Sequence, residues 1–63
     1  MKPSKGQDYI YRGEGTASGE TFTVISVSKK IEHFKARMNN DSRLVDLPWT
    51  ILLECELLLP EKF

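Results

Sequence analysis

The chain is 63 residues long, so it can build only one hydrophobic core. Multidomain enzymes, Rossmann sheets and α/β barrels all need longer chains, and length alone excludes them. Hydrophobic residues make up 40% of the chain and its formal net charge is zero, which is typical of folded rather than disordered proteins. We therefore expect one small domain over residues 8–60, with flexible tails at residues 1–7 and 61–63.

The single cysteine, Cys55, limits the redox and metal chemistry open to this chain. An intramolecular disulfide needs two cysteines, so the usual covalent support of small secreted domains is excluded and a cytoplasmic location is predicted. Cys55 and the single histidine, His33, would need carboxylates to complete a zinc site, which is an unusual ligand set. We expect neither a metal nor a cofactor.

The sequence also predicts no association with a membrane. Its most apolar stretch, residues 47–59, is interrupted by Glu54 and Glu56. It is too short to cross, as a helix, a hydrocarbon layer of about 30 Å. The charged N-terminal residues are not followed by an apolar run, so we expect no signal peptide.

Two segments predict the first half of an all-β fold. Residues 21–28 consist almost entirely of Thr, Val, Ile, Phe and Ser, which strongly favours a strand. Residues 8–12 predict a shorter strand, and the glycine-rich residues 13–20 predict the loop between the two.

Residues 29–38 have two interpretations. A helix would begin at Ser28 and pair Glu32 with Lys35. A strand would turn Phe34, Ala36 and Met38 inward, alternating with polar residues. We favour the strand because the polar residues 39–42 predict a tight turn and residues 43–47 then resume an extended pattern.

The C-terminal segment predicts a last strand. Pro48 should end the preceding strand, and residues 48–51 predict a single 3₁₀ turn. Apolar residues then alternate with polar ones over residues 53–59, until Pro60. A helix over residues 49–59 is the alternative, but its apolar side chains would surround most of its circumference, and so small a chain could not cover them.

This order of elements resembles the small SH3-like barrels, which include Tudor-like and KOW-like modules. The resemblance rests on residues 34–48, with residues 22–25 as their neighbour, and it implies a five-stranded barrel. The peptide-binding SH3 family has an ALYDY-like run, and in this chain only Tyr9 and Tyr11 resemble it. That family also has a tryptophan at the start of its third strand, whereas Trp49 comes too late in this chain to match it. Binding of proline-rich ligands is therefore not implied, and the superfold assigns no function.

No arrangement of reactive residues predicts catalysis. A Cys/His pair needs hydrogen-bond contact, and nothing in the spacing of His33 and Cys55 enforces it. Glu54 and Glu56 would lie on one strand face, where a solvated pair is the simpler interpretation. We expect no enzymatic activity and assign no catalytic residue.

Charge predicts one alternative function. Residues 1–37 carry seven basic and four acidic side chains. On a strand, a basic stripe would project from one face, formed by Lys29, His33, Lys35 and Arg37. Such a stripe could bind single-stranded nucleic acid weakly through its phosphates.

The leading hypothesis is a non-enzymatic interaction module that contacts protein, either a partner or a second copy of this chain. It would use apolar surface of the C-terminal segment, namely Trp49, Ile51, Leu52 and Leu58. The predicted core consists of Phe22, Val24, Phe34, Ala36 and Met38, with Ile10, Leu53, Cys55 and Leu57 packed against it.

Overall fold

The computed structural model describes residues 2–58, which form five strands and one 3₁₀ helix. The elements in chain order are β1 (Asp8–Tyr11), β2 (Thr21–Ser28), β3 (His33–Met38), β4 (Leu44–Pro48), the 3₁₀ helix (Trp49–Glu54) and β5 (Cys55–Leu58). The all-β prediction is confirmed, and the helical alternative at residues 29–38 is wrong. Of the helical alternative at residues 49–59 only a 3₁₀ helix over Trp49–Glu54 is present, because β5 begins at Cys55. The predicted tail at residues 61–63, together with Leu59 and Pro60, lies outside the described residues.

The strands form a single antiparallel sheet in the order β4-β3-β2-β1-β5. The sheet is not closed into a barrel, and the predicted architecture is corrected on this point. Closure would require the two edge strands, β4 and β5, to pair with each other. Instead the 3₁₀ helix connects them, so β4 keeps one edge without a neighbouring strand among residues 2–58.

The turns follow the predicted chemistry. In the β3–β4 turn, the Met38 amide donates a hydrogen bond to the Arg43 carbonyl at 2.8 Å, and Ser42 has a φ of 59°. In the β1–β2 loop, Gly15 and Gly19 have φ values of 103° and 92°, which glycine adopts without steric cost. This loop is closed at its base, where the Gly19 amide donates to the Tyr11 carbonyl at 2.7 Å.

The core lies on the inner face of the curved sheet. It contains all five residues predicted for its centre, joined by Tyr9 and Leu52. The Phe22 ring stacks between Tyr9 and Phe34, with centroid distances of 5.8 and 5.9 Å. The alternation predicted for β3 is therefore confirmed, because Phe34, Ala36 and Met38 are all buried.

The predicted inward positions of the C-terminal segment need correction. Leu57 lies opposite the buried Tyr9 and so keeps the predicted inward position, although it is still 39% exposed. Leu53 is 73% exposed, whereas Leu52 is fully buried. The reason is that the 3₁₀ helix continues to Glu54, so the alternation of a strand begins only at Cys55. Three residues per turn place Leu52 on the same side of the helix as Trp49.

The segment predicted as a flexible N-terminal tail contacts the sheet. Pro3 is buried, and the Gly6 amide donates a hydrogen bond to the Val24 carbonyl at 2.8 Å. The Val24 amide in turn donates to the Gln7 carbonyl at 2.8 Å. Gly6 and Gln7 are therefore attached to β2, through backbone groups that sequence composition does not reveal.

Candidate functional site

The inner face of the sheet opens into a groove of about 660 Å³ between the β1–β2 loop and β4. Its floor is apolar and is formed by Phe22, Met38, Val45, Leu47 and Ile51. One wall is formed by Tyr11, at the end of β1, and by the β1–β2 loop with Glu14 and Glu20, and Arg43 lies just before β4. The groove exists because the sheet is open, so no strand of residues 2–58 lies along this edge of β4.

The alternation of β4 supplies the floor. Val45 lies opposite Ala36 and Leu47 lies opposite Phe34, so both share the inner face with the core. Both are half-buried, as is Ile51 from the 3₁₀ helix. Phe22 and Met38 are buried beneath them. The floor is therefore a part of the core that remains partly accessible to solvent.

The loop wall is organised by Tyr11. Its ring lies so close to Gly13 that a β-carbon there would collide with the phenol group unless the Tyr11 side chain moved. The Tyr11 hydroxyl donates a hydrogen bond to the Glu14 carbonyl at 3.4 Å. Within residues 2–58, neither Glu14 nor Glu20 forms an ion pair. This wall therefore presents two carboxylates that are free to meet a cation.

Arg43 adds one positive charge to the lining of the groove. Its Nε lies 3.9 Å from Oδ2 of Asp41. The Arg43 side chain is more than half exposed, and the Asp41 side chain is about half exposed. Such an exposed and distant pair is weak. Glu14 and Glu20, which also line the groove, outnumber this single guanidinium. The groove is thus apolar at its floor and acidic along the loop.

The four residues predicted as an apolar interface are not brought together. Leu52 belongs to the core, so its assignment to an interface is wrong. Trp49 is half-buried, and its indole Nε1 donates a hydrogen bond to the His33 carbonyl at 3.2 Å. Leu58 is 39% exposed on the outer face, opposite Asp8. Only Ile51 lines the groove.

The predicted basic stripe is present only in part. Lys35 and Arg37 are exposed on the outer face of β3, as predicted. Lys29 instead lies in the β2–β3 turn, because β3 begins at His33. Asp46 lies opposite Lys35, and its Oδ1 is 3.0 Å from Nδ1 of His33. An acidic side chain therefore interrupts the stripe and weakens its attraction for phosphates.

The reactive residues are also separated. His33 lies on β3 and Cys55 on β5, with two strands between them in the sheet. Glu54 ends the 3₁₀ helix. Glu56 forms an ion pair with Arg12, in which Oε1 of the glutamate lies 3.1 Å from Nη2 of the arginine. The two glutamates therefore do not share one strand face. Among residues 2–58, no cluster of three or more His, Cys, Asp or Glu side chains could hold a metal ion.

Sequence reasoning missed most of the groove. Val45 and Leu47 carried a signal, since they alternate with Leu44 and Asp46 in a predicted strand. Val45 and Leu47 line the groove because β4 is an edge strand, and local alternation does not show which strand lies at the edge. For Glu14 and Glu20 no local signal exists, because the fold of the loop brings them to the groove.

No protein-family model matches this sequence, and neither a curated protein nor a solved structure matches it. In the described part of the chain, no helix has the length and apolar character required to span a membrane. The function is therefore argued from the geometry of the groove.

Two titratable groups near the core predict a loss of stability at alkaline pH. Burial raises the pKa of the Cys55 thiol, and the nearby Glu54 carboxylate raises it further. Burial also raises the pKa of the Tyr9 hydroxyl, with a smaller contribution from Cys55. As pH rises, the unfolded chain loses these protons before the folded chain does. Stability from these groups is thus complete below the unfolded pKa values, about 8.5 for Cys and 10 for Tyr, and is lost above them.

Urea unfolding at several pH values between 7 and 10 measures this effect. We expect the wild-type midpoint to fall above about pH 8.5, the ordinary pKa of a thiol. The Cys55→Ala variant, which cannot ionise at this position, should lose less stability between about pH 8.5 and 9.5. A wild-type midpoint that stays constant or rises over this range would contradict the prediction.

Proposed function

We propose that this protein is a non-enzymatic interaction module that binds an apolar segment of another protein in the groove. The observation that supports this proposal is the half-buried apolar floor, which remains open beside the edge of β4 that no strand of residues 2–58 covers. Grooves of about 300–1,000 Å³ with apolar linings and a few polar groups are typical of binding sites. An occupant that covered Val45, Leu47 and Ile51 would gain the free energy of removing them from water.

The charges of the groove define the partner further. Glu14 and Glu20 favour a segment that carries Lys or Arg beside its apolar residues, because opposite charges across an interface speed association and exclude wrong partners. A second copy of this chain is a less favourable occupant. A symmetric pair of grooves would bring four carboxylates and only two Arg43 guanidinium groups into one interface, so the charges would not be balanced.

A binding role also agrees with the reactive residues. The raised pKa of Cys55 leaves little nucleophilic thiolate at neutral pH. His33 is hydrogen-bonded to Asp46, away from the groove floor. We propose a reducing location such as the cytoplasm, which suits a free, half-buried thiol.

We also propose an open SH3-like arrangement for the fold. Supporting it are the long β1–β2 loop, the tight β3–β4 turn and the 3₁₀ helix before β5, in the order on which the resemblance rests. This proposal does not determine the ligand, because related folds serve unrelated functions.

Selection from a displayed library of random peptides tests the binding proposal. Selected peptides should be synthesised and titrated into isotopically labelled protein. We expect amide shifts to concentrate at Val45, Leu47 and Ile51 and in the β1–β2 loop, and selected sequences to combine apolar and basic residues.

Two neighbouring substitutions on β4 provide the control. Val45→Lys places a charge in the floor, whereas Leu44→Lys places the same charge on the opposite face, where Leu44 is already 64% exposed. We expect Val45→Lys to weaken peptide binding at least tenfold, or about 1.4 kcal/mol, and Leu44→Lys to change it little. Circular dichroism should show both variants folded. Equal losses in the two variants, or shifts confined to another face, would refute the proposal.

A further inference from the structure

We propose that the groove binds its protein segment in an extended conformation, as an added strand along the edge of β4 that is free within residues 2–58. This inference rests on the proposed function and specifies how the occupant is recognised. An extended segment added to an exposed sheet edge obtains affinity from main-chain hydrogen bonds and specificity from alternate side chains. The structure shows which backbone groups of β4 would form those hydrogen bonds.

Two hydrogen bonds fix the direction of every backbone group on β4. At one end the Met38 amide donates to the Arg43 carbonyl at 2.8 Å, and at the other the Trp49 amide donates to the Glu32 carbonyl at 2.9 Å. In an antiparallel ladder, residues facing the partner strand alternate with residues facing away. Both ends therefore give the same result: the amides and carbonyls of Leu44 and Asp46 point away from β3.

Leu44 and Asp46 thus offer two amides and two carbonyls along the open side of the sheet. Pro48 would be next in this series, but proline has no amide hydrogen to donate. The docking strand is therefore short, with its hydrogen bonds centred on Leu44 and Asp46. Proline and a charged residue are common on natural edge strands, where they prevent unlimited pairing between sheets.

The free edge also borders the apolar floor. The side chains of Val45 and Leu47 alternate with Leu44 and Asp46, so they lie on the inner face of the same edge strand. A strand added about 4.8 Å from β4 would place every second side chain beside Val45 and Leu47. Those positions should be apolar, and an inward residue near the loop should be Lys or Arg, because Glu14 and Glu20 line that wall.

Hydrogen exchange and peptide N-methylation test this mode with a synthetic peptide selected as above. In the complex we expect amide exchange at Leu44 and Asp46 to slow at least tenfold. N-methylation of successive peptide residues should weaken binding in a period of two, because only alternate amides face β4. A period of three or four, or unchanged exchange at Leu44 and Asp46, would overturn the inference.

The outcomes separate this inference from the proposal beneath it. If a peptide binds the Val45→Lys variant more weakly, but N-methylation of its residues shows no period of two, binding in the groove is supported and the added strand is refuted. Failure to select any peptide that is sensitive to Val45→Lys refutes the proposed function itself. Sedimentation of the free protein identifies a second copy. A dimer with slow exchange at Leu44 and Asp46 before any peptide is added would overturn the assigned occupant.

Discussion

Replacing Phe34 with alanine is expected to unfold the protein at room temperature. Phe34 is 1% exposed and stacks on Phe22 at a centroid distance of 5.9 Å, in the middle of the inner face. Removing a buried phenylalanine ring costs about 3–5 kcal/mol through lost transfer free energy and an unfilled cavity. A single core supplies only about 3–5 kcal/mol of stability to a chain of this size. The expected loss in the free energy of unfolding is therefore as large as the whole stability of the protein.

Circular dichroism and urea unfolding measure this result, with Lys35→Ala as the control. Lys35 is the next residue along β3, but its side chain is exposed on the outer face. Its removal should change the free energy of unfolding by no more than about 0.5 kcal/mol. A Phe34→Ala protein that kept a native spectrum and a cooperative unfolding transition would contradict the assignment of Phe34 to the core centre.

The strands that sequence predicted best are those whose patterns are strictly local. The run Thr21–Ser28 contains residues that favour extended backbone at nearly every position, and β2 has these bounds. In β3, the strict alternation of apolar and polar residues fixes which face is buried. The chain before His33 turns instead, and Glu32 has a φ of 55°. No residue type in that segment requires such a turn.

The candidate site was less predictable because it depends on how the strands are ordered. Val45 and Leu47 form a groove floor only because β4 lies at one edge of the sheet. The sequence supports pairing of adjacent strands, but it does not show whether the ends of the sheet meet. If the two ends of the sheet meet, these alternating residues become part of a closed core. If the ends stay apart, the same residues form an open binding surface.

The C-terminal segment was misassigned because leucine and glutamate do not distinguish a 3₁₀ helix from a strand. Leu52 and Leu53 are the same residue type, and whether they belong to the helix or to the strand decides which of them faces inward. The fold resolves this ambiguity through packing. One leucine of the 3₁₀ helix enters the core, and the next remains in solvent.

This pair of leucines gives the second large prediction. Leu52 is fully buried in the core cluster, whereas Leu53, its neighbour, is 73% exposed. We expect Leu52→Ala to lower the free energy of unfolding by about 2–5 kcal/mol, which leaves the variant marginally stable or unfolded. We expect Leu53→Ala to change it by no more than about 0.5 kcal/mol, because surface substitutions remove few contacts.

The comparison is sharp because both substitutions delete the same atoms from adjacent positions. Effects on helix or strand propensity are nearly equal, so the difference between the two urea midpoints reports burial alone. The structure requires the larger loss at Leu52, since that side chain packs with the buried residues of the sheet. A larger loss at Leu53 would mean that strand alternation begins there, as the sequence pattern predicts, and would refute the 3₁₀ helix. Leu52 would then return to the surface, where it could take part in an interface.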